Sequence, residues 1–133
     1  MSRNTETVQR AYAAFGRGDV PGVLDVLSDD VEWEYGWGSE PLKWYVPRRG
    51  KAAVPGFFEA IADFEFERFE PMGFLEGGDM VAVPIDLRLR VKATGRIIRD
   101  IEMHLWTFDA DGRVSRFRHI VDTRQFAEAS AGT

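Results

Sequence analysis

Few side chains in this 133-residue chain can move a proton near neutral pH. There are two histidines and no cysteine, which excludes disulfides, thiolate metal sites and a cysteine nucleophile. His104 and His119 sit in successive β-rich runs joined by Asp109-Ala110-Asp111-Gly112. Gly after Asp supplies the positive φ that such a turn needs. With a three-residue loop and a bulge at Gly112, residue numbers summing to about 222 pair across the hairpin. His104 then faces Arg118, and Asp100 faces Asp122. Glu102 joins them on that face, because side chains alternate along a strand. His119 falls on the other face, which favours His104 as the pocket residue.

Two arrangements fit a face carrying His104, Glu102, Asp100, Arg118 and Asp122. It is either a solvated sheet face with charges paired across strands or the wall of a polar pocket. Along the ladder, at about 3.3 Å per residue, His104 and Asp122 meet only if the sheet bends strongly or a ligand bridges them.

Aromatic residues supply the rest of a candidate site. Val31-Glu32-Trp33-Glu34-Tyr35-Gly36-Trp37 alternates strictly, with Trp33, Tyr35 and Trp37 on one face of a half-buried strand. Those rings either fill core or line a cavity. Tyr12 and Phe58 fall on apolar helix faces, and Trp106 follows His104 on its face. Arg48-Arg49 sits in a long loop and is either solvated or poised to attract an anion. Asp86 has Arg68 and Arg88 as structural partners.

Composition narrows the function classes. A net charge of −5 and the lack of a basic run argue against nucleic-acid binding. No apolar run approaches the roughly 18 residues of a membrane span, and no signal-peptide pattern opens the chain. The expectation is a cytoplasmic protein that meets no membrane. No metal-ligating constellation and no Gly-rich phosphate loop is present, so any chemistry is expected to need no cofactor and no metal.

The elements that must position these residues follow from periodicity. Asn4 is the expected N-cap of a first helix running to about Arg17, with Val8, Ala11, Tyr12 and Phe15 on one face. Asp19 caps a short second helix that has Pro21 in its first turn. A third helix is expected over residues 51–62, and a strand from Phe64 to Leu75. Three long runs from Asp79 to Asp122 then form an antiparallel meander. In it the odd positions, from Val81 to Val91 and from Ile101 to Leu105, read as the apolar face. Pro84 implies an edge or a bulge. Thr123 is the expected cap of a last helical turn over residues 124–129. One domain, residues 1–133, of α+β class results, with helices packed on one face of a curved sheet.

This order, and several strings within it, resemble the nuclear transport factor two-like superfamily, in its SnoaL-like and ketosteroid isomerase-like branch. The strings are Val8-Gln9-Arg10-Ala11-Tyr12-Ala13-Ala14-Phe15 with Gly18-Asp19, then Leu27-Ser28-Asp29-Asp30-Val31-Glu32-Trp33. Arg49-Gly50-Lys51-Ala52-Ala53-Val54 before Phe57-Phe58 continues the series. Asp111-Gly112-Arg113-Val114 and Phe117-Arg118-His119-Ile120-Val121-Asp122 end it. The resemblance implies a cone-shaped, curved antiparallel sheet wrapped around N-terminal helices, with an internal pocket and often a homodimer through the outer sheet face.

What the resemblance implies about chemistry depends on position. The isomerase base would fall at Tyr35 and its oxyanion acid at His104, so that machinery is not matched. Asp86 and Asp122 resemble the two epoxide hydrolase acids, but Pro84 stands where the Arg two residues before the first acid belongs. SnoaL-type cyclases pair a last-strand Asp with a neighbouring His, and Asp122 and His104 match those places. An Asp beside a His in an apolar cone can exchange a proton with a carbon acid α to a carbonyl. The leading expectation is therefore a pocket for a small apolar molecule, with isomerase or cyclase chemistry on a carbonyl-containing ring. Asp122 would be the acid/base, His104 its partner and Tyr35 a hydroxyl donor. Tyr12, Trp33, Trp37, Phe58, Asp86, Trp106 and Arg118 would complete the site. A non-catalytic ligand-binding or dimerisation domain is the alternative, and an epoxide hydrolase-like enzyme a further one.

Overall fold

A computed structural model describes residues 2–34 and 42–131. Helix α1 spans Arg3–Gly16 and α2 spans Val20–Leu24. Strand β1 is Leu27–Trp33, β2 is Arg48–Arg49, and α3 is Pro55–Ile61. Strands β3 (Phe64–Pro71) and β4 (Leu75–Gly77) lead into the meander. The meander is β5 (Met80–Val91), β6 (Ile97–Phe108) and β7 (Val114–Ile120), and α4 (Thr123–Ser130) follows it.

Several boundaries differ from the sequence reading. Ser2, not Asn4, caps α1, because its hydroxyl accepts from the Thr5 N–H. Asp122, not Thr123, caps α4, its carboxylate accepting from the Gln125 N–H. Residues 51–53 form a 3₁₀ turn, and the helix proper begins at Pro55, where the missing N–H costs nothing. Strand β1 starts earlier than expected and ends at Trp33. Asp19 caps α2 as its sequence predicts, through the Gly22 N–H.

The described strands form one sheet in the order β2-β1-β7-β6-β5-β3, with β4 also paired to β5. All pairings are antiparallel except β1 with β7. Helices pack on one face, giving the α+β cone. Pro84 lies where β3 has ended and β4 has not begun, so no neighbouring carbonyl misses its N–H. Its own carbonyl accepts from the Met72 N–H at 2.8 Å.

Two register features decide what faces the interior. Arg90 pairs with Ile97, which leaves an even number of residues, 91–96, between them, so odd positions of β5 oppose even positions of β6: Val83 faces His104 and Ile85 faces Glu102. The apolar odd face expected to run through both strands therefore changes parity. Ile98, Glu102, His104, Trp106 and Phe108 point inward, while Ile101 is exposed. The second feature lies between β6 and β7. Phe108 pairs with Val114, as the sequence register requires, but Thr107 pairs with Arg116. Ser115 is thus an extra residue, and a one-residue slip turns every later side chain to the other face. His104 faces His119 rather than Arg118.

Candidate active site

The sheet's concave face and the helices enclose an aromatic cavity. Its walls include Phe15, Phe57, Phe58, Phe69, Trp33 and Trp44, and its polar residues are Tyr12, Glu102, His104 and His119. The cavity is narrow, about 70 Å³. A flat ring suits it.

Four side chains from α1 and β6 form a chain of hydrogen bonds. The Trp106 indole N–H donates to the Tyr12 hydroxyl oxygen at 3.0 Å. That hydroxyl is 2.7 Å from His104 Nδ1, and His104 Nε2 is 3.1 Å from Glu102 Oε1. The strand alternation of β6 brings Glu102, His104 and Trp106 to one face, and α1 lays Tyr12 over the imidazole, rings 5.7 Å apart and near parallel. Glu102 and His104 are buried.

Electrostatics follow from that burial. Burial pushes the Tyr12 phenol far up, against the Trp106 hydrogen bond, and Glu102's charge adds to the rise. The hydroxyl therefore stays protonated. Burial also pushes the Glu102 carboxyl up, but the charge and hydrogen bond of His104, with His119 behind, outweigh it. Glu102 titrates below its ordinary value and remains an anion.

A second pair lies beside the first. Glu34 is completely buried and adopts a positive φ of 59° just past the end of β1, a left-handed conformation that a non-glycine residue rarely takes. That turn sends its carboxylate inward. Oε1 accepts from the His119 backbone N–H at 2.7 Å, and Oε2 lies 2.7 Å from His119 Nδ1. The latter contact is short but poorly aligned, an ion pair rather than a good hydrogen bond. Burial pushes His119 down, but Glu34's charge and direct contact, with Glu102's charge, raise it above its ordinary value.

The chain matches the SnoaL-like domain over residues 8–117. It belongs to the SnoaL-like family. An NTF2-like protein from Burkholderia pseudomallei is 31% identical, with 97% of this chain and 98% of that one covered and a TM-score of 0.85. Another, from Burkholderia xenovorans, is 29% identical over 96% and 95%, TM-score 0.82. TerC, co-crystallised with polyporic acid, is 27% identical over 98% and 99%, TM-score 0.76. No curated protein matches the chain.

Within this SnoaL-like cone, Tyr12, Trp33, Phe58, His104 and Trp106 come together as the sequence suggests. Tyr35 and Trp37 lie outside the described residues. Asp122 does not reach the cavity: it is exposed and holds the start of α4, so it is no partner for His104. Asp86 points to the outer face, where it accepts from Arg68 Nε at 2.7 Å. Arg118 opposes Leu105 on the outer side of the sheet, turned out by the Ser115 bulge. Arg48 donates to the Lys43, Trp44 and Val46 carbonyls, which gives it a structural role in the loop.

The sequence reading missed Glu34 and His119, and treated Glu102 only as a neighbour of His104. Glu102 was findable from its i, i+2 spacing to His104. The other two depend on a bulge and a left-handed residue that no local pattern marks. Among the described residues no three His, Asp or Glu side chains are placed to hold a metal ion, and no helix is long and apolar enough to cross a membrane.

Proposed function

We propose that this cone binds a small, flat, largely apolar ring compound bearing a carbonyl, and moves a proton on it with protein groups alone. One observation carries the reading: Tyr12, His104 and Glu102 form a continuous proton path inside an otherwise aromatic cavity. When His104 holds both ring protons, Nε2–H donates to Glu102 and Nδ1–H to the Tyr12 oxygen. The Tyr12 proton is then free for a ligand carbonyl. The Glu102 carboxylate takes the proton from the carbon α to that carbonyl, and Tyr12 gives its proton to the oxygen as the enol forms. Tyr12 is refilled from His104 Nδ1. Reversing the steps at the same or another carbon gives an isomer, or a carbon nucleophile for ring closure. The co-crystallisation of TerC with polyporic acid supports a small organic occupant.

The test is deuterium exchange at the α-carbon of 2-tetralone in D2O, followed by proton NMR. Exchange accelerated by the protein, and cut by about 10²-fold or more in Glu102→Gln, is the expected result. Binding, seen as a change in tryptophan fluorescence, without accelerated exchange would make the chain a ligand-binding domain.

We also propose a homodimer through the outer sheet face. Pro84, Met103 and Ile120 lie side by side across β5, β6 and β7. Ile101 and Ile120 on that face are 62% and 46% exposed, apolar area that a second copy would cover.

A further inference from the structure

The proton path leaves one buried ionisable pair without a task. His119 lines the same cavity with Glu34 against it, and neither makes a hydrogen bond to Tyr12. As a purely structural device the pair is excessive. Tying the end of β1 to β7 needs only the Glu34 N–H donating to the Phe117 carbonyl at 2.8 Å and the His119 N–H donating to Glu34. The imidazole adds an ion pair to that tie, and it is held in the aromatic wall, 5.1 Å from the Trp44 ring and 5.6 Å from Phe57. Its Nδ1 lies against the Glu34 carboxylate, and its ring lines the cavity; among the described residues its Nε2 makes no hydrogen bond.

We propose that His119, held by Glu34, is an anchor for an acidic oxygen on the ligand, a carboxylate or an ionised enol or phenol. The inference rests on the reading that the cavity binds a small molecule, and it names which one: a ring compound with a carbonyl for Tyr12 and an oxygen acid for His119. The spacing suits such a molecule. The His104 and His119 rings are 5.7 Å apart and nearly perpendicular, so one flat ligand spans both poles. The charges around the anchor are consistent with it. Glu34 faces it from the end of β1, and Glu102 and His104 from β6. Arg48 on β2 is within electrostatic reach of Glu34, and Tyr45 packs edge-on to the imidazole. Glu34 and Glu102 each have an imidazole partner, so a charged His119 meets an anionic ligand with no unpaired carboxylate opposing it. An N–H donor charged in this way, in a site poor in water, forms the stronger class of hydrogen bond to an anionic oxygen. Glu34 holds a left-handed backbone to keep the imidazole so placed.

The experiment compares 2-naphthoate with 2-acetylnaphthalene, matched in shape but differing in charge, by calorimetric titration at pH 7. The expected result is that wild type prefers the acid by about tenfold or more, and that the preference falls to about one in His119→Gln and in Glu34→Gln. Should either variant fold poorly, the wild type still decides the matter. In 15N-edited NMR the His119 Nε2 signal moves when the acid is added and not when the ketone is added. Equal affinity for acid and ketone in wild type, or an unmoved Nε2 signal, overturns the anchor and leaves the pocket standing. Binding of neither compound overturns the pocket, and the anchor with it.

Discussion

His104 and His119 stand directly opposite each other on β6 and β7, rings 5.7 Å apart, both facing the interior. The chain reaches this register by leaving Ser115 unpaired between the Phe108–Val114 pair and the Thr107–Arg116 pair. Deleting Ser115 would make those two pairs consecutive and give an unbulged ladder in which Phe117, stacked on Trp33 at 4.2 Å, and His119 still face inward. The expected cost is small, about 1 kcal/mol or less, read as a nearly unchanged urea midpoint. A collapse of the cooperative transition would mean that the bulge itself is needed for the hairpin to form.

Tyr12→Phe removes the acceptor of the Trp106 N–H and the neighbour of His104 Nδ1 while keeping the ring. Trp106 is 3% exposed, so its orphaned donor finds no water. A cost of about 1–3 kcal/mol is expected, measured by denaturant unfolding at neutral pH. Trp106→Phe in the same background should cost much less than it does alone, since the donor is already unpaired.

Two shifted groups set a pH window for stability. Glu102 titrates below its ordinary 4.5 in the fold, so its contribution is complete above 4.5 and is lost as pH falls through the lower folded value. His119 titrates above its ordinary 6.5, so its contribution is complete below 6.5 and is lost as pH rises through the higher folded value. Both are in place between pH 4.5 and 6.5. The urea midpoint should be highest there and decline towards alkaline pH. Glu34→Gln should flatten that alkaline decline, because Glu34 is the main cause of the His119 rise. An identical decline in the variant would assign it to other groups.

How much of this was legible in the sequence differs by level. The α+β cone was, because Val8, Ala11, Tyr12 and Phe15 mark a helix face and the alternation of β5 is unbroken. Tyr12, Trp33, Phe58, His104 and Trp106 follow from that periodicity once β6 is placed. Glu34 and His119 do not. A period-2 pattern assumes the strand continues and the register holds. Here the strand stops at Trp33 with a left-handed residue, and the ladder slips at Ser115. Asp122 was misplaced for a related reason. The strand ends at Ile120, so the acid that would have extended the alternation caps a helix instead.

The outer face predicts assembly. Wild-type protein at micromolar concentration is expected to sediment at twice the 15.1 kDa chain mass. Ile101→Glu places a charge in the exposed apolar strip beside Met103 and Ile120 and should give the monomer. The cavity lies on the opposite side of the sheet, so ligand titration checks that the variant is folded. A monomeric wild type would remove the dimer from consideration and leave the apolar strip unexplained.

Asp122 is the sharpest test of where chemistry resides. If it capped a helix and nothing more, Asp122→Ala would lose the hydrogen bond to the Gln125 N–H at a cost of about 1 kcal/mol, and Asp122→Asn would recover most of that. Asparagine caps as well as aspartate but cannot serve as a carboxylate base. Deuterium exchange on 2-tetralone should therefore be the same in wild type and Asp122→Asn, and be lost in Glu102→Gln. The opposite pattern would mean that the last-strand acid works through a rearranged C-terminal helix and that the Tyr12–His104–Glu102 path is structural. The exposed position of Asp122 and its bond to the start of α4 make the first pattern the expected one.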